Sequence, residues 1–302
     1  MLARSLIVLL ALELALYLLI GAWAASALGW SIGPCVLLAL SIASALRLLL
    51  VGFSFALAHR FRGARPPDVQ LGLRQALALF VGEFLAFAVL FVWLQPLVRW
   101  FAAPRVASRS RRIPIVFVPG IYCNRAVWWW LSRRLRARGL DDLIAVTLEP
   151  PLADIDVLAA DLARRIEDLC QQRQASQVVL VGHSMGGLVA RAYLRDAGPA
   201  RIARLITLAS PHHGSVLACL GVGPAAAQLR PGSAWLRNLN ADEDRISAVP
   251  IVSMFSWHDN FVAPQDSAIL AQATNVGFAG IGHLALLFSE TVAQRLYDEI
   301  QK

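Results

Sequence analysis

Hydrophobic and polar residues follow two regimes along this chain. Up to about residue 100 the apolar runs are long, and each carries a single charge. Leu6 to about Leu28 contains only Glu13, Gly33 to about Ala58 only Arg47, and Gln75 to about Val98 only Glu83. Each run exceeds the roughly 20 residues that cross a bilayer. The pattern predicts three membrane-spanning helices, at about 6–28, 33–58 and 75–98, making an anchor over residues 1–101.

From residue 113 short apolar runs alternate with amphipathic stretches. Ile113 to Val118, Leu143 to Leu148, Val178 to Val181, Ile202 to Leu208, Val249 to Phe255 and Val276 to Ala279 read as strands. Arg125 to Arg138 (capped by Asn124), Asp154 to Gln174, Gly187 to Asp196 and Leu284 to Ile300 read as helices. This alternation predicts a mostly parallel sheet with helices on both faces, an α/β domain over 113–302. It lapses between about 215 and 247, where an insertion reads as a lid or cap. Ala102 to Arg112, with Pro, Ser and four Arg, reads as the linker between the halves.

Composition agrees with a membrane protein: 57% of the residues are hydrophobic. The net charge of +8 lies wholly in residues 1–112, which hold eleven Arg and three acids. Arginines flanking apolar helices face lipid headgroups or set topology. They are not a nucleic-acid footprint, and no nucleic-acid partner is expected. The balance of arginines favours the amino terminus inside and the sheet domain outside, which for a bacterial inner-membrane protein is extracytoplasmic. The alternative for the first run is a cleaved signal peptide. Lone charges at mid-membrane are costly, so Glu13, Arg47 and Glu83 should face one another or a polar cavity. An interhelical ion pair is the plain reading and a proton or substrate path the sharper one. Cys35, Cys123, Cys170 and Cys219 show neither a disulfide framework nor metal-ligand spacing. No metal and no cofactor is expected.

The chemistry concentrates in Val178-Val179-Leu180-Val181-Gly182-His183-Ser184-Met185-Gly186-Gly187-Leu188. An apolar strand, G-H-S-M-G and a helix form a nucleophile elbow. Ser184 stands at the turn, and Gly182 and Gly186 spare the collision of strand with helix. The N–H groups at the helix start favour a developing negative charge.

The elbow together with the strand–helix order resembles the α/β-hydrolases, and within them the bacterial lipases and related membrane-associated lipid deacylases. The resemblance covers about residues 113–302. It implies the order serine, acid, histidine. His283, after the last strand in Gly280-Ile281-Gly282-His283, fits the base. Asp259 follows a strand end, and Asp259-Asn260-Phe261-Val262-Ala263-Pro264 resembles the acid loop of lipases. Asp266 is the reserve, while Asp242 and Asp244 read as solvated surface. The oxyanion donors would be the amides of Met185 and Ile121. Pro119-Gly120-Ile121 departs from the His-Gly-hydrophobic run common in lipases. His212 and His213, in a Pro-His-x-Gly-like run, would shape the pocket floor or bond within their loop. His183 should face away from the substrate, and His258 should pack or make a loop contact. Tyr122, Trp128, His213, Leu220 and Trp235 are expected to line the pocket or lid.

The apolar runs and the resemblance together imply a multi-pass membrane serine hydrolase of carboxylic esters, expected to be a lipase or esterase acting on acyl lipids. Its expected partners are a lipid or ester substrate and the bilayer. An acyltransferase or thioesterase would use the same triad. A non-catalytic membrane scaffold with a hydrolase-like domain, or a transporter coupled to it, is the reading of another class.

Overall fold

A computed structural model of the chain describes residues 1–101, 113–241 and 249–302. The expected linker, Asp242 and Asp244 lie outside the described residues.

The first two apolar runs form α1 (Leu2–Leu28) and α2 (Ile32–Arg60). They form a hairpin through a turn in which Gly29 takes φ 68°, a left-handed value that glycine adopts without strain. The third run becomes α3 (Leu73–Ala88), continuing into a π-helical turn, Val89–Leu94, and then a short α4 (Val98–Phe101). All three runs are long and apolar enough to cross a membrane. They differ in what covers them. The most apolar stretch of α1 is 0% buried and that of α2 6%, whereas the third run reaches 28%. Glu83, Ala86, Leu90 and Leu94 face inward, against the sheet domain. Leu73, Leu77, Val81, Leu85, Val89 and Trp93, spaced four apart, form an exposed apolar stripe on the other side.

The three charges of the apolar helices do not meet as a set. Arg47 makes two bonds to the Glu13 carboxylate, at 2.7 and 2.8 Å, and the Tyr17 hydroxyl donates to the same group. Glu83 is not part of this cluster. It sits on the inward face of α3, where backbone N–H groups of the sheet domain are within reach. Of the expected alternatives, one another or a polar cavity, Glu13 and Arg47 meet each other, while Glu83 takes neither and meets backbone N–H groups instead. At the other end, the amino-terminal ammonium of Met1 lies 2.5 Å from Glu149 Oε1 of the sheet domain.

Six parallel strands build the sheet: β1 (Ile115–Val118), β2 (Leu143–Ala145), β3 (Val178–His183), β4 (Ile202–Leu208), β5 (Ile251–Ser256) and β6 (Thr274–Phe278). Their order is β2-β1-β3-β4-β5-β6. The helices between them are α5 (Trp129–Ala137), α6 (Ile155–Arg173), α7 (Met185–Ala197), α8 (Pro224–Gln228) and α9 (Ala234–Ala241), with α10 (Glu290–Ile300) at the end. Alternation along the strands separates two cores. Val116, Val118, Val178 and Leu180 face α6 and α7. Ile115, Phe117, Val179 and Val181 face α5 and α10. Ala86, Leu90 and Leu94 extend this second core, so the third apolar run shares the interior of the sheet domain.

Two expected helices are broken. The segment after Asn124 begins as a 3-10 turn, Arg125–Trp128, whose first free N–H, from Ala126, bonds the Asn124 side chain at 3.0 Å. The last helix is preceded by a separate 3-10 turn, Ala285–Phe288. Ser289 divides the two because its side chain accepts from Val292 N and starts α10.

Candidate active site

Chain direction in the sheet reverses about β1, so the loops after β1 and β3 leave to opposite faces and open a crevice between them. Ser184 stands at that crevice. It links β3 to α7 with φ 55° and ψ −126°, a conformation that costs a non-glycine residue roughly 1–3 kcal/mol. Its N–H is held by Leu208 O at 2.8 Å. The crowding explains the neighbouring glycines. A Cβ on Gly182 would lie 2.5 Å from Gly187 N, and one on Gly186 would overlap the Val118 carbonyl. Gly187 is needed as well, because its Cβ would press on Ser210 and Thr207. That requirement comes from β4 and is not visible in the elbow motif.

The loop after β1 approaches the serine closely. A Cβ on Gly120 would sit 2.9 Å from Ser184 Cβ and 3.4 Å from its Oγ. Ile121 and Tyr122 follow in that loop, Tyr122 with φ 56°. Met185 begins α7 and supplies the next amide after the serine.

His283 and Asp259 are brought together. His283 Nδ1 lies 2.8 Å from Asp259 Oδ2. The other Asp259 oxygen accepts from Phe261 N and Val262 N, both at 2.7 Å. Gln265 Nε2 donates to the Asp259 carbonyl at 2.8 Å, and Asn260 Oδ1 accepts from His283 N at 3.0 Å. Both members of the pair are almost completely buried. Burial works against charging His283, yet the charge and hydrogen bond of Asp259, with the charge of Glu83, hold its pKa above the ordinary value. Because the carboxylate only accepts, Nδ1 carries the proton and Nε2 is left as the free basic nitrogen. Ser184 and His283 line the same cavity. Among the described residues no hydrogen bond joins them, and such bonds commonly tighten only with substrate bound.

That cavity holds about 490 Å³. Its walls come from both halves of the chain. Leu50, Val51 and Phe53 of α2 and Phe87 and Phe91 of the third run face Ile121, Tyr122, Leu217 and Leu220. Of the residues expected to line it, Tyr122 and Leu220 do so. Trp128 does not: it is fully buried in the second core against Phe117. Trp235 donates to Asp156 at 2.8 Å, and His213 turns to the Ile269 carbonyl at 3.1 Å. Polar partners in their own neighbourhood draw both away. His183 does line the cavity, contrary to expectation, with its ring 4.7 Å from that of His283. Burial, and then the nearby His283, lower its pKa well below the ordinary value, so it is a neutral ring. His212 bonds Thr207 within the fold, and His258 accepts from Gly280 N, as loop contacts. Cys123 is also at the cavity, but burial pushes its thiol up to about 12, which leaves it without nucleophilic character.

The insertion after β4 consists of a 3-10 turn, Val216–Leu220, then α8 and α9. Leu217, Ala218, Leu220 and Ala226 roof the cavity, and Leu220 and Val222 project apolar side chains outward. Among the described residues, no three His, Cys, Asp or Glu side chains gather as metal ligands.

Three buried contacts went unforeseen. Glu83 accepts from Leu284 N at 3.0 and 3.1 Å and from Ala285 N at 2.9 Å. Ser54 Oγ accepts from Asn260 Nδ2 at 2.8 Å. Gln95 is paired with Asn124 through two bonds, at 2.9 and 3.0 Å. A lone acid in an apolar helix was the one signal available, and it announced a need for partners without saying where they are.

A comparison with solved structures places this arrangement among known folds. Bacillus licheniformis lipase BlEst2 in its mature form superposes with a TM-score of 0.56 at 20% identity, covering 66% of this chain and 95% of that one. A family model described as PGAP1-like alpha/beta domain matches residues 152–290. The chain is an α/β-hydrolase-fold protein. Aspergillus fumigatus lipase B shares the α/β-hydrolase fold with a TM-score of 0.57 at 19% identity, over 63% of this chain and 53% of that one. A Listeria innocua protein gives 0.50 at 16% identity, over 63% and 94%. At such identities the likeness is one of fold. No curated protein matches the sequence.

Proposed function

We propose that the chain is a membrane-anchored serine hydrolase of carboxylic esters, acting on acyl lipids. The observation that carries this reading is the buried His283–Asp259 pair, with His283 and a strained Ser184 lining one apolar cavity. The lipase neighbours support ester hydrolysis at the level of fold.

Ser184 Oγ attacks the ester carbonyl while its proton passes to His283 Nε2. Asp259 holds the imidazole in the required tautomer and stabilises the imidazolium. The amides of Ile121 and Met185 take the oxyanion. Collapse of the tetrahedral intermediate breaks the ester C–O bond, and His283 returns its proton to the departing alcohol. Water, deprotonated by the same imidazole, then attacks the acyl-enzyme and frees the acid and Ser184.

Two features support lipid as the substrate class. The cavity wall is overwhelmingly apolar and suits an acyl chain. Two of the long apolar helices contribute to it, so a chain residing in the bilayer has a short path to Ser184. Lid residues Leu220 and Val222 would open against lipid.

The expected sidedness required three crossings, separating the amino terminus from the hydrolase. The Met1–Glu149 contact and the buried face of α3 favour a variant in which α1 and α2 make the crossing pair. The amino terminus and the hydrolase then share a side. Compartment reporters on both ends distinguish the two arrangements.

The catalytic reading is tested by labelling membranes with a fluorophosphonate probe. Labelling of the wild type that disappears in Ser184→Ala is expected. Absence of Ser184-dependent labelling contradicts the reading and favours the non-catalytic scaffold.

A further inference from the structure

The structure assigns Glu83 as a positioning residue for His283, an inference that rests on the triad reading above. Its carboxylate reaches from α3 into the sheet domain and binds the backbone immediately after the histidine. Leu284 N and Ala285 N both donate to it, at 2.9 to 3.1 Å. The fit is close on the other side of the histidine too. A Cβ on Gly282 would lie 2.7 Å from Glu83 Cδ, so a side chain there would displace the carboxylate. Glu83 is 0% exposed and does not line the substrate cavity, so it acts only through the loop it holds.

This contact is one of three. Ser54 on α2 holds Asn260, the residue after the acid and itself bonded to His283 N. Gln95, at the end of the π-helical turn, holds Asn124, just beyond the oxyanion loop. The histidine, acid and oxyanion loops are each tied to the N-terminal helices by a buried polar side chain. Those helices are thereby part of the site's framework as well as an anchor. Glu83 is the strongest tie, since a carboxylate satisfies free N–H groups at the start of a short helical turn.

The charged and titratable groups facing His283 are Asp259 from the acid loop, His183 from β3 and Glu83 from α3.

The test uses full-length protein in lipid vesicles, with p-nitrophenyl octanoate as the ester probe. Glu83→Gln keeps the shape but replaces an acceptor by an amide. We expect kcat to fall roughly 10- to 100-fold, the scale of a misplaced catalytic group, with KM nearly unchanged. Glu83→Asp should recover part of the loss. Amide hydrogen exchange across residues 281–287 should quicken in Glu83→Gln, a measurement independent of turnover. Unchanged kcat and exchange in folded Glu83→Gln overturn the assignment. Wild-type protein without Ser184-dependent turnover overturns the hydrolase reading itself, and the exchange measurement separates the two failures. If Glu83→Gln does not fold, Gly282→Ala, which crowds the carboxylate, should give the same loss of kcat, and full activity there overturns the assignment.

Discussion

His283 Nδ1 and Asp259 Oδ2 stand 2.8 Å apart, and both residues are almost completely buried. Asp259 spends its other oxygen on the Phe261 and Val262 amides, so its orientation is fixed by its own loop. Replacing it by Asn places an N–H group where an acceptor is needed or reverses the tautomer. Asp259→Asn should lower kcat about 10⁴-fold, as expected for a triad with a misoriented base. The fold should survive, and steady-state kinetics beside a thermal melt checks both.

The same pair sets the pH dependence. His283 must be neutral to take the serine proton, and its pKa is held above the ordinary 6.5. Activity should therefore fall with decreasing pH along a limb lying above pH 6.5, and Asp259→Asn should move that limb downward. For stability the sign is opposite. A proton bound more tightly in the folded state contributes stability that is fully present below pH 6.5 and lost as pH rises through the raised value. A melt series across this window, wild type against His283→Ala, reads the difference.

Gly186 has no room for a side chain, because a Cβ would overlap the Val118 carbonyl and lie 2.7 Å from Pro119 O. Gly186→Ala must push β1 and its loop away from the elbow. A loss of roughly 1–3 kcal/mol is expected, with activity falling further than stability. Denaturation midpoints and probe labelling of the same preparation separate the two effects.

The Glu13–Arg47 pair is a separate test of the first two apolar helices. Removing one partner strands a charge in an apolar setting, at a cost of roughly 2–4 kcal/mol. Arg47→Met or Glu13→Gln alone should loosen the α1–α2 hairpin, while the double variant should be much closer to wild type. A double-mutant cycle on unfolding in mixed micelles measures the coupling.

Leu217 roofs the cavity that holds Ser184. Leu217→Trp fills part of its volume of about 490 Å³ and should shift the preferred acyl chain toward fewer carbons. Rates over a series of esters of increasing chain length show the shift.

The sheet and the elbow were legible because their signals are local. Six apolar runs bounded by loops became six strands, and Gly182 and Gly186 state the crowding at Ser184 within five residues. The resemblance to lipases then directed attention to His283 and Asp259. The contacts of Glu83 were not legible. They join positions some two hundred residues apart, and the partners are backbone N–H groups, which carry no side-chain signature. Trp128 failed as a pocket residue for a similar reason. Its neighbour Phe117 alternates to the inner face of β1, and a large ring adjoining that face is drawn into the core. Gly187 was passed over because the atoms that need it, in Ser210 and Thr207, belong to the next strand and its loop.

The central claim is that Ser184 opens acyl esters drawn from a lipid surface. The most direct measurement is the hydrolysis rate over a series of carboxylic esters from short and soluble to long-chain, with and without lipid vesicles, using Ser184→Ala as control. The account predicts rates that rise with chain length and with the lipid surface, and that vanish in Ser184→Ala. A preference for short soluble esters indifferent to vesicles, or activity that survives Ser184→Ala, would contradict it.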